Sequence, residues 1–540
     1  MSTKKHNFHT FLKISILCAC FFASFQLNAQ NPVPLITAED SSASIKQLQY
    51  EIDRILDHKA IRKSKVSVAV YSLDAEKFLY KRNIDQLMTP ASNTKIFTSF
   101  ISLVSMGSNY LINTSVYSDG QMIADSILKG DVYIVGHGDP MFSSDDIVDL
   151  AAQIRKRGIK VIDGNIYADG TFFDSLTVRK DYSNDRDHVV KLPPITGLSI
   201  EKNTATIKIT SGNMAGEVVD VELIPASSAF VTSNSAKVRG YSRGELFDFD
   251  NIPGGLTEEK LLPRFGDAAP DPEPEPRRRR TIRIYSNLGK DGKQHFTVKG
   301  YLRAKRNYSY RYYMIDPELV VAGALKSAIE AEGLMVTGKI GKKSMTRVEH
   351  RIQMLLLGQA NRPIVEVLTP LNKESDNYLA ENVFKMIGAH GGNYRDNAGQ
   401  AKKVIHRELQ ILGIPCEECE LNDGSGLSRR NLVTAESIMN ILRTADKMPF
   451  SEDFHSTLSI AGMDGTLEKR MRNSLAENNL HGKTGTLRNV SSLSGYVRTL
   501  DGERIAFSFL FNGNYVSSYK DLEDELGKTL ANFFYFNQKN

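Results

Sequence analysis

The first hundred residues alternate apolar and polar positions in a way that predicts a helix, a strand pair and a second helix. Apolar residues at helical spacing predict the first helix over 45–56. The stretch 65–74 alternates as a half-buried strand, and 77–83 follows a short turn as its hairpin partner. Apolar residues recur at helical spacing between 96 and 104, so a buried amphipathic helix is predicted to begin near Ser92.

The pattern changes after this helix. From about 113 to 345 the chain predicts short strands joined by glycine-rich turns, with helices only over 145–158 and 317–333. Helical spacing then returns over 350–450.

The last part of the chain is rich in strands again. A hairpin is predicted at the Asp501-Gly502 turn, and a closing amphipathic helix over 519–534. Because predicted strands at both ends of the chain enclose a helical middle, we expect one α/β (α+β) domain assembled from distant segments. The predicted organisation is a signal peptide at 1–29, a first domain segment at 30–112, an inserted strand-rich region at 113–344 and a second domain segment at 345–540.

The N-terminus has the layout of a secretory signal. Three lysines precede an apolar run over 14–27, and the small residue Ala29 follows, so cleavage is predicted after Ala29 and export to the periplasm or medium. The run is shorter than the ~20 residues of a membrane span, and no later stretch reaches that length. Lipid attachment at Cys20 is the other alternative, although it would leave only a short apolar run ahead of the cysteine.

Charge excludes one class of partner. The formal net charge is +5, and removal of the three lysines in the first 29 residues lowers it to +2. A nearly neutral protein lacks the electrostatic footprint of nucleic-acid binding. The residues 267–276 alternate proline with acid, and Arg277–Arg280 follow directly. This pattern predicts an extended surface loop with self-compensating charge.

Two cysteines remain after the predicted cleavage, Cys416 and Cys419. In an oxidising compartment a C-x-x-C pair could close a small disulfide loop. A zinc site needs a second ligand pair, which the sequence does not offer, so neither a metal nor a cofactor is predicted.

Candidate chemistry begins at the predicted helix start. Ser92 and Lys95 are one helical turn apart and therefore share a face. A serine nucleophile needs a base, and a lysine that is desolvated near another cation is pushed toward its neutral, basic form. The free N–H groups at a helix N-terminus can also stabilise an oxyanion.

Two further motifs complete a set. Ser375-Asp376-Asn377 lies in the helical region, and Lys483-Thr484-Gly485, followed by Thr486, lies in "HGKTGT" (481–486). The motifs S-x-x-K, S-D-N and K-T-G in this order are the signature of penicillin-binding proteins and related β-lactamases. We expect the small residues of 481–486 to let a substrate backbone lie against the strand, and Lys483 to bind a carboxylate.

With these motifs the chain resembles the class C low-molecular-weight penicillin-binding proteins, of the D-alanyl-D-alanine carboxypeptidase/endopeptidase type. The resemblance includes "GDVYIVGHGDP", "PPITGLSIEKNT", "DGSGLSRRN" and "AGMDGTL" and spans nearly the whole mature chain. It implies a penicillin-binding/serine β-lactamase-like transpeptidase domain that carries two inserted strand-rich domains, one nested in the other. It also implies peptidoglycan peptides as substrates and β-lactam antibiotics as inhibitors.

The resemblance assigns a role to each motif residue. Ser92 would be the acylated nucleophile, Lys95 its base, and Ser375 a proton relay to the leaving amine. Asn377 would hold the substrate amide. Lys483 and Thr486 would bind the terminal carboxylate with support from Thr484, and the backbone N–H groups of Ser92 and Thr486 would form the oxyanion hole.

Two alternatives stay open at this point. Glu418 begins an E-x-E-L-N pattern like that around the deacylating glutamate of class A β-lactamases, so a serine β-lactamase is possible. An exported cell-wall scaffold without activity is the other, although the nucleophile and its lysine are both present. Stable labelling by a fluorescent penicillin would indicate the peptidase, rapid loss of label the lactamase, and no label the scaffold.

Overall fold

The computed structural model describes residues 38–123, 126–183, 190–239, 282–345, 354–392 and 395–536. The predicted signal peptide and the proline-acid-arginine stretch at 267–280 lie outside these residues. None of the described helices is both long enough and apolar enough to cross a membrane.

The first segment contains the elements that the apolar pattern predicts. They are α1 (Ala38–Ile55), β1 (Lys65–Ser72), β2 (Lys77–Arg82) and α2 (Thr94–Met106). A short 3-10 turn, Ala91–Asn93, leads into α2, so the predicted nucleophile precedes the α-helix proper. Strands β1 and β2 pair antiparallel, which confirms the predicted hairpin.

The middle of the chain is dominated by short strands. Its elements are β3 (Leu111–Ser118), β4 (Gln121–Ile123), β5 (Ile127–Lys129), β6 (Val132–Gly136), α3 (Ser144–Lys156), β7 (Val161–Asp163), β8 (Ile166–Asp169), α4 (Arg179–Ser183), β9 (Thr204–Thr210), β10 (Asp220–Ile224), β11 (Phe230–Asn234), β12 (Lys237–Arg239), β13 (Ile282–Leu288), β14 (Gln294–Arg303), β15 (Asn307–Tyr313), α5 (Pro317–Ala331), β16 (Met335–Val336) and β17 (Ile340–Lys342). The two predicted helices are confirmed as α3 and α5, whereas the apolar pattern did not reveal the short helix α4.

The last part returns to helices and then to strands. Its elements are β18 (Leu355–Pro363), α6 (Ile364–Lys373), α7 (Asn377–His390), α8 (Asn397–Ile411), α9 (Ala435–Lys447), α10 (Ser451–Ser456), β19 (Ser459–Ile460), β20 (His481–Leu487), β21 (Val490–Arg498), β22 (Arg504–Asn512) and α11 (Val516–Ala531). The hairpin around Asp501-Gly502 and the closing helix are confirmed.

The main sheet joins the two ends of the chain. Its six strands have the order β19-β20-β21-β22-β1-β2, and all neighbouring strands are antiparallel. Strand β1 pairs with β22 over its full length, from Lys65 opposite Asn512 to Ser72 opposite Ile505. The predicted α/β domain built from distant segments is therefore confirmed.

Strand β1 is buried on both faces, so the prediction of a half-buried strand was wrong. Val66, Val68 and Val70 belong to the core that α1 and α11 cover. Ala69 and Tyr71 point to the opposite core, which contains α2 and the helices α7 to α9. Because helices cover both sides of the sheet, a central strand has no solvent face, and its small polar residues are buried with the apolar ones.

The inserted region forms four further sheets in a nested arrangement. Two have the orders β17-β8-β6-β3-β18 and β16-β7-β5-β4, and their strands flank the others in sequence. The inner two, β10-β9-β15 and β11-β14-β12 with β13 beside β14, come from residues 204–313.

Strand β18 pairs with the first strand of the insertion although it lies beyond residue 344, where the sequence pattern places the end of that region. Arg362 is opposite Ile112 in the antiparallel pair of β18 and β3, and Leu357 belongs to the core of the insertion. Such pairing between residues 250 positions apart leaves no local signal in the sequence.

Candidate active site

Ser92 lies in a tight turn between Pro90 and helix α2. Ala91 has a φ of +48°, which is uncommon for a non-glycine residue and is the type of backbone strain that clusters at functional sites. Gly426, with a φ of +84°, packs against this turn, and a Cβ at that position would collide with the carbonyl oxygen of Ala91. The positive φ of Ala91 and the missing side chain of Gly426 therefore together allow the turn that carries Ser92.

Lys95 is fully buried directly beneath the serine. Its Nζ donates hydrogen bonds to Ser92 Oγ at 3.0 Å, to Asn377 Oδ1 at 2.7 Å and to the carbonyl oxygen of Ser425 at 2.6 Å. Burial lowers the pKa of Lys95 to about 8, although the nearby carboxylates of Asp423, Glu381 and Asp376 act in the opposite direction. A lysine with this pKa is substantially neutral at mildly alkaline pH and can accept the proton of Ser92.

The second motif lies at the junction of α6 and α7. Ser375 has a φ of +57°, and Asp376 caps α7 by accepting a hydrogen bond from the backbone N–H of Leu379 at 3.0 Å. Asn377 is the first residue of α7, and its amide oxygen binds Lys95. The turn thus places a hydroxyl and an amide on the same side of the site as Ser92.

The third motif lies on β20, at the edge region of the main sheet. Lys483 is fully buried, and its Nζ donates to Ser375 Oγ and to the carbonyl oxygen of Thr484, both at 2.9 Å. Burial, and secondarily the charge of Lys95, lowers the pKa of Lys483 well below its usual range. The two lysines thus repel each other, and the surrounding carboxylates favour the charge on Lys95.

Gly485 lies against the turn that carries Ser92. A Cβ at this position would lie 2.7 Å from the carbonyl oxygen of Pro90 and 3.0 Å from the nitrogen of Ser92, and would collide with Ser492 Oγ. The absent side chain therefore makes room for the turn that carries Ser92. The expectation that the small residues of 481–486 also let a substrate backbone lie against the strand stays a prediction.

The two threonines of the third motif have different surroundings. Thr484 is buried, and its hydroxyl donates to the hydroxyl of Thr466 at 2.8 Å, which links β20 to the "AGMDGTL" turn. Thr486 is half-buried, and its hydroxyl forms no hydrogen bond with any of the described residues.

Several residues that sequence reasoning did not assign also contribute to the site. Ser425, within the stretch "DGSGLSRRN", supplies the carbonyl that binds Lys95. Glu381 has no direct role in the proposed chemistry, but its carboxylate accepts a hydrogen bond from the backbone N–H of Ser425. It follows Asn377 by one helical turn. That spacing was the available signal for Glu381. Lys202, which binds Asp376, lies in the stretch "PPITGLSIEKNT", but the sequence did not assign it a role.

Glu418 is the residue behind the β-lactamase alternative. Its side chain is exposed, in a loop that the Cys416–Cys419 disulfide closes. Within the described part of the chain, no hydrogen bond or ion pair joins it to Ser92 or Lys95.

A buried Ser–Lys pair, with a second serine bound to a second lysine, is able to perform acyl transfer. On this scaffold of sheet and helices it defines a serine enzyme of the penicillin-binding type.

Comparisons with known proteins agree with that class. The model of the D-Ala-D-Ala carboxypeptidase 3 (S13) family matches residues 48–248 and 287–533. The D-alanyl-D-alanine carboxypeptidase of Actinomadura sp. (strain R39) is 28% identical over 511 residues, which cover 92% of this chain and 86% of that protein. The crystal structure of penicillin binding protein 4 (dacB) from Haemophilus influenzae has a TM-score of 0.62 at 21% identity, and the match covers 90% of this chain and 99% of that one. A second structure of the H. influenzae protein is a complex with a β-lactam.

The chain belongs to the D-Ala-D-Ala carboxypeptidase 3 (S13) family. This membership confirms the predicted family and the prediction of a serine-type carboxypeptidase. The solved structure confirms the fold class.

Proposed function

We propose that the enzyme cleaves the D-alanyl-D-alanine terminus of peptidoglycan stem peptides, as a carboxypeptidase, an endopeptidase or both, through an acyl-enzyme on Ser92. The observation that carries this proposal is the 3.0 Å hydrogen bond between Lys95 Nζ and Ser92 Oγ in a fully buried setting. A buried amine this close to a hydroxyl is the base that a serine nucleophile needs.

Acylation proceeds by attack of Ser92 Oγ on the carbonyl carbon of the penultimate D-alanine. Neutral Lys95 accepts the serine proton as the Oγ–C bond forms, and the backbone N–H groups of Ser92 and Thr486 stabilise the oxyanion. Ser375, whose Oγ accepts a hydrogen bond from Lys483, relays the proton that Lys95 received to the leaving amine as the C–N bond breaks, so Lys95 is neutral again. Water then attacks the ester, restores the Ser92 hydroxyl and releases the shortened peptide as a carboxylate.

Substrate binding uses the remaining motif residues. Lys483 and Thr486 bind the terminal carboxylate of the substrate, and the Asn377 amide holds the peptide backbone. Arrival of the carboxylate supplies the counter-charge that Lys483 lacks in the unliganded site and favours its protonated form. A β-lactam acylates Ser92 by opening its ring amide, in analogy to the β-lactam complex of the H. influenzae protein.

We assign the enzyme to the periplasm or the exterior of the cell, since its substrate lies there and its first 29 residues have the layout of a signal peptide. The strand pairings support a transpeptidase-like domain formed by residues up to about 110 and from about 364 onward, with two nested domains between them.

The test is acylation by benzylpenicillin followed by peptide mapping with mass spectrometry. The wild type should carry the adduct on the Ser92 peptide, and Ser92→Ala should carry none while its melting temperature stays close to that of the wild type. An adduct on Ser375 or Ser425 would overturn the assignment. Rapid release of the penicilloyl group would favour the lactamase alternative, and digestion of purified muropeptides would distinguish trimming of terminal D-alanine from cleavage of cross-links.

A further inference from the structure

A buried carboxylate that the proposed mechanism does not use lies behind the catalytic lysine. Glu381 is fully buried on α7, one helical turn beyond Asn377. Its Oε1 accepts a hydrogen bond from the backbone N–H of Ser425 at 2.9 Å, and its Oε2 accepts one from the Tyr182 hydroxyl at 2.9 Å. A buried acid with both oxygens bound in this way is a fixed part of the site rather than a solvated surface charge.

The residue that Glu381 holds is the one that Lys95 contacts. The carbonyl oxygen of Ser425 accepts the Lys95 hydrogen bond, and the N–H of the same peptide group, that of Gly426, donates to Asp423 Oδ1 at 2.9 Å. Glu381 fixes the preceding N–H, so two carboxylates together fix the backbone of Ser425 against the lysine.

The insertion completes this arrangement from the far side. Helix α4 supplies Tyr182, and it also supplies Arg179, whose Nη1 donates to Asp423 Oδ2 at 2.7 Å in a fully buried ion pair. Both carboxylates that hold the Ser425 backbone are therefore themselves held by one short helix of the insertion.

Resting on the proposed function, we propose that Glu381 is a positioning residue for the acyl-transfer reaction. It holds the Ser425 backbone against Lys95, and its negative charge controls how readily Lys95 gives up its proton. Tyr182 orients the carboxylate, so the insertion takes part in setting the basicity of the catalytic lysine.

The electrostatics of the site agree with this role. Burial, and next the charge of Asp423, raises the pKa of Glu381 to about 7, just below the value of about 8 to which burial lowers the pKa of Lys95. Each charged form affects the other group, because an ionised Glu381 stabilises the protonated lysine. The titratable and charged groups that face Glu381 are Lys95 on α2, Arg179 and Tyr182 on α4, Asp423 in the loop, Lys385 on α7 and Lys402 on α8.

The experiment measures the rate of Ser92 acylation and the kcat/KM for a soluble D-alanyl-D-alanine peptide between about pH 5.5 and 10. Glu381→Gln keeps an acceptor for the Ser425 N–H and removes the charge. The acid limb of its pH–rate profile, where the rate falls at low pH, should move to lower pH, because Lys95 then loses its proton more easily. The plateau should stay within about fivefold of the wild type, whereas Glu381→Ala should lower it about 10- to 100-fold, since the Ser425 contact is also lost.

Two further variants keep the test decisive. Glu523→Gln alters an equally buried carboxylate that pairs with Arg470 on the other side of the main sheet, and should leave the pH profile unchanged. Tyr182→Phe removes a hydrogen bond that favours the ionised form of Glu381, and should move the acid limb in the same direction as Glu381→Gln. If Glu381→Gln does not fold, the pH profile of Tyr182→Phe tests the proposal by itself.

The proposal fails if the acid limb stays in place in Glu381→Gln, or moves equally in Glu523→Gln, while the wild type is acylated at Ser92. Absence of acylation in the wild type would instead contradict the proposed function itself.

Discussion

The ammonium group of Lys202 lies 2.6 Å from Asp376 Oδ2, so a residue of the insertion binds the middle residue of the second catalytic motif. Lys202 is the centre of three successive residues with positive φ, Glu201 at 50°, Lys202 at 51° and Asn203 at 53°. Non-glycine residues seldom adopt this conformation even singly. The neighbours hold it in place, because Glu201 binds Ser144 and Asn203 donates to the Pro194 carbonyl oxygen.

Lys202→Met should therefore affect the reaction as well as the fold. Lys202 is partly exposed but Asp376 is buried, so loss of the ion pair should cost about 1–3 kcal/mol of the free energy of unfolding. Acylation should slow by about 3- to 10-fold, because Asp376 anchors the turn between Ser375 and Asn377. The matched control is Lys208→Met. Lys208 has similar exposure, and its Nζ lies 3.8 Å from Glu222 on β10, so the variant should acylate at the wild-type rate. Equal effects of both variants would contradict the link.

The pH dependence of acylation should follow Lys95. Burial lowers its pKa to about 8, and only the neutral amine can accept the Ser92 proton. The acylation rate should therefore rise as pH increases through about 8 and fall progressively at lower pH. Lys95→Arg, which keeps a permanent positive charge, should lose about 10²- to 10⁴-fold at every pH. Stopped-flow measurement with a chromogenic β-lactam gives both results, and a rate independent of pH between 6 and 9.5 would argue against Lys95 as the base.

Lys483 should discriminate between substrates by their terminal carboxylate. Lys483→Ala removes a charge-assisted hydrogen bond, which contributes about 1.5–3 kcal/mol, so kcat/KM for acid substrates should fall about 10- to 150-fold. Amidated analogues should lose much less. Since the pKa of Lys483 is lowered in the unliganded site and a carboxylate raises it, binding takes up a proton, and KM for acid substrates should increase with pH in the wild type.

The control for Lys483→Ala is the kcat/KM of the amidated substrate, measured on the wild type and on the variant. Equal losses on acid and amide substrates, together with a pH–rate profile displaced from that of the wild type, would show that Lys483 acts mainly through Lys95.

Gly485→Ala should displace the nucleophile. The added Cβ would lie 3.0 Å from the Ser92 nitrogen and 2.7 Å from the Pro90 carbonyl oxygen, so the turn has to move away from β20. Overpacking of this kind costs about 1–3 kcal/mol, and we expect at least a tenfold slower acylation.

Gly391→Ala is the matched control for Gly485→Ala, because Gly391 has a φ of −71° and its nearest neighbours would be 3.3 Å from a new Cβ. Its melting temperature and acylation rate should stay close to those of the wild type. Wild-type acylation by Gly485→Ala would show that the turn tolerates the extra methyl group.

Local patterns in the sequence were sufficient to predict most of the elements of the main domain and the motif residues of the site. The helix after Ser92, the hairpin at Asp501-Gly502 and the closing helix follow from spacing within one element. The three motifs could be found because each is a short run of chemically specific side chains. That Lys95 meets Ser92 follows from one helical turn, whereas its contact with Asn377 joins residues 282 positions apart.

The tertiary structure decided everything that depends on contacts between distant residues. It alone places β18 beside β3, buries both faces of β1, and brings Tyr182, Arg179 and Lys202 of the insertion to the catalytic motifs. It also shows that Gly485 makes room for the turn of Ser92. A spacing rule describes neighbours along the chain, but the burial of a lysine and the pKa that results depend on which remote groups the fold packs around it.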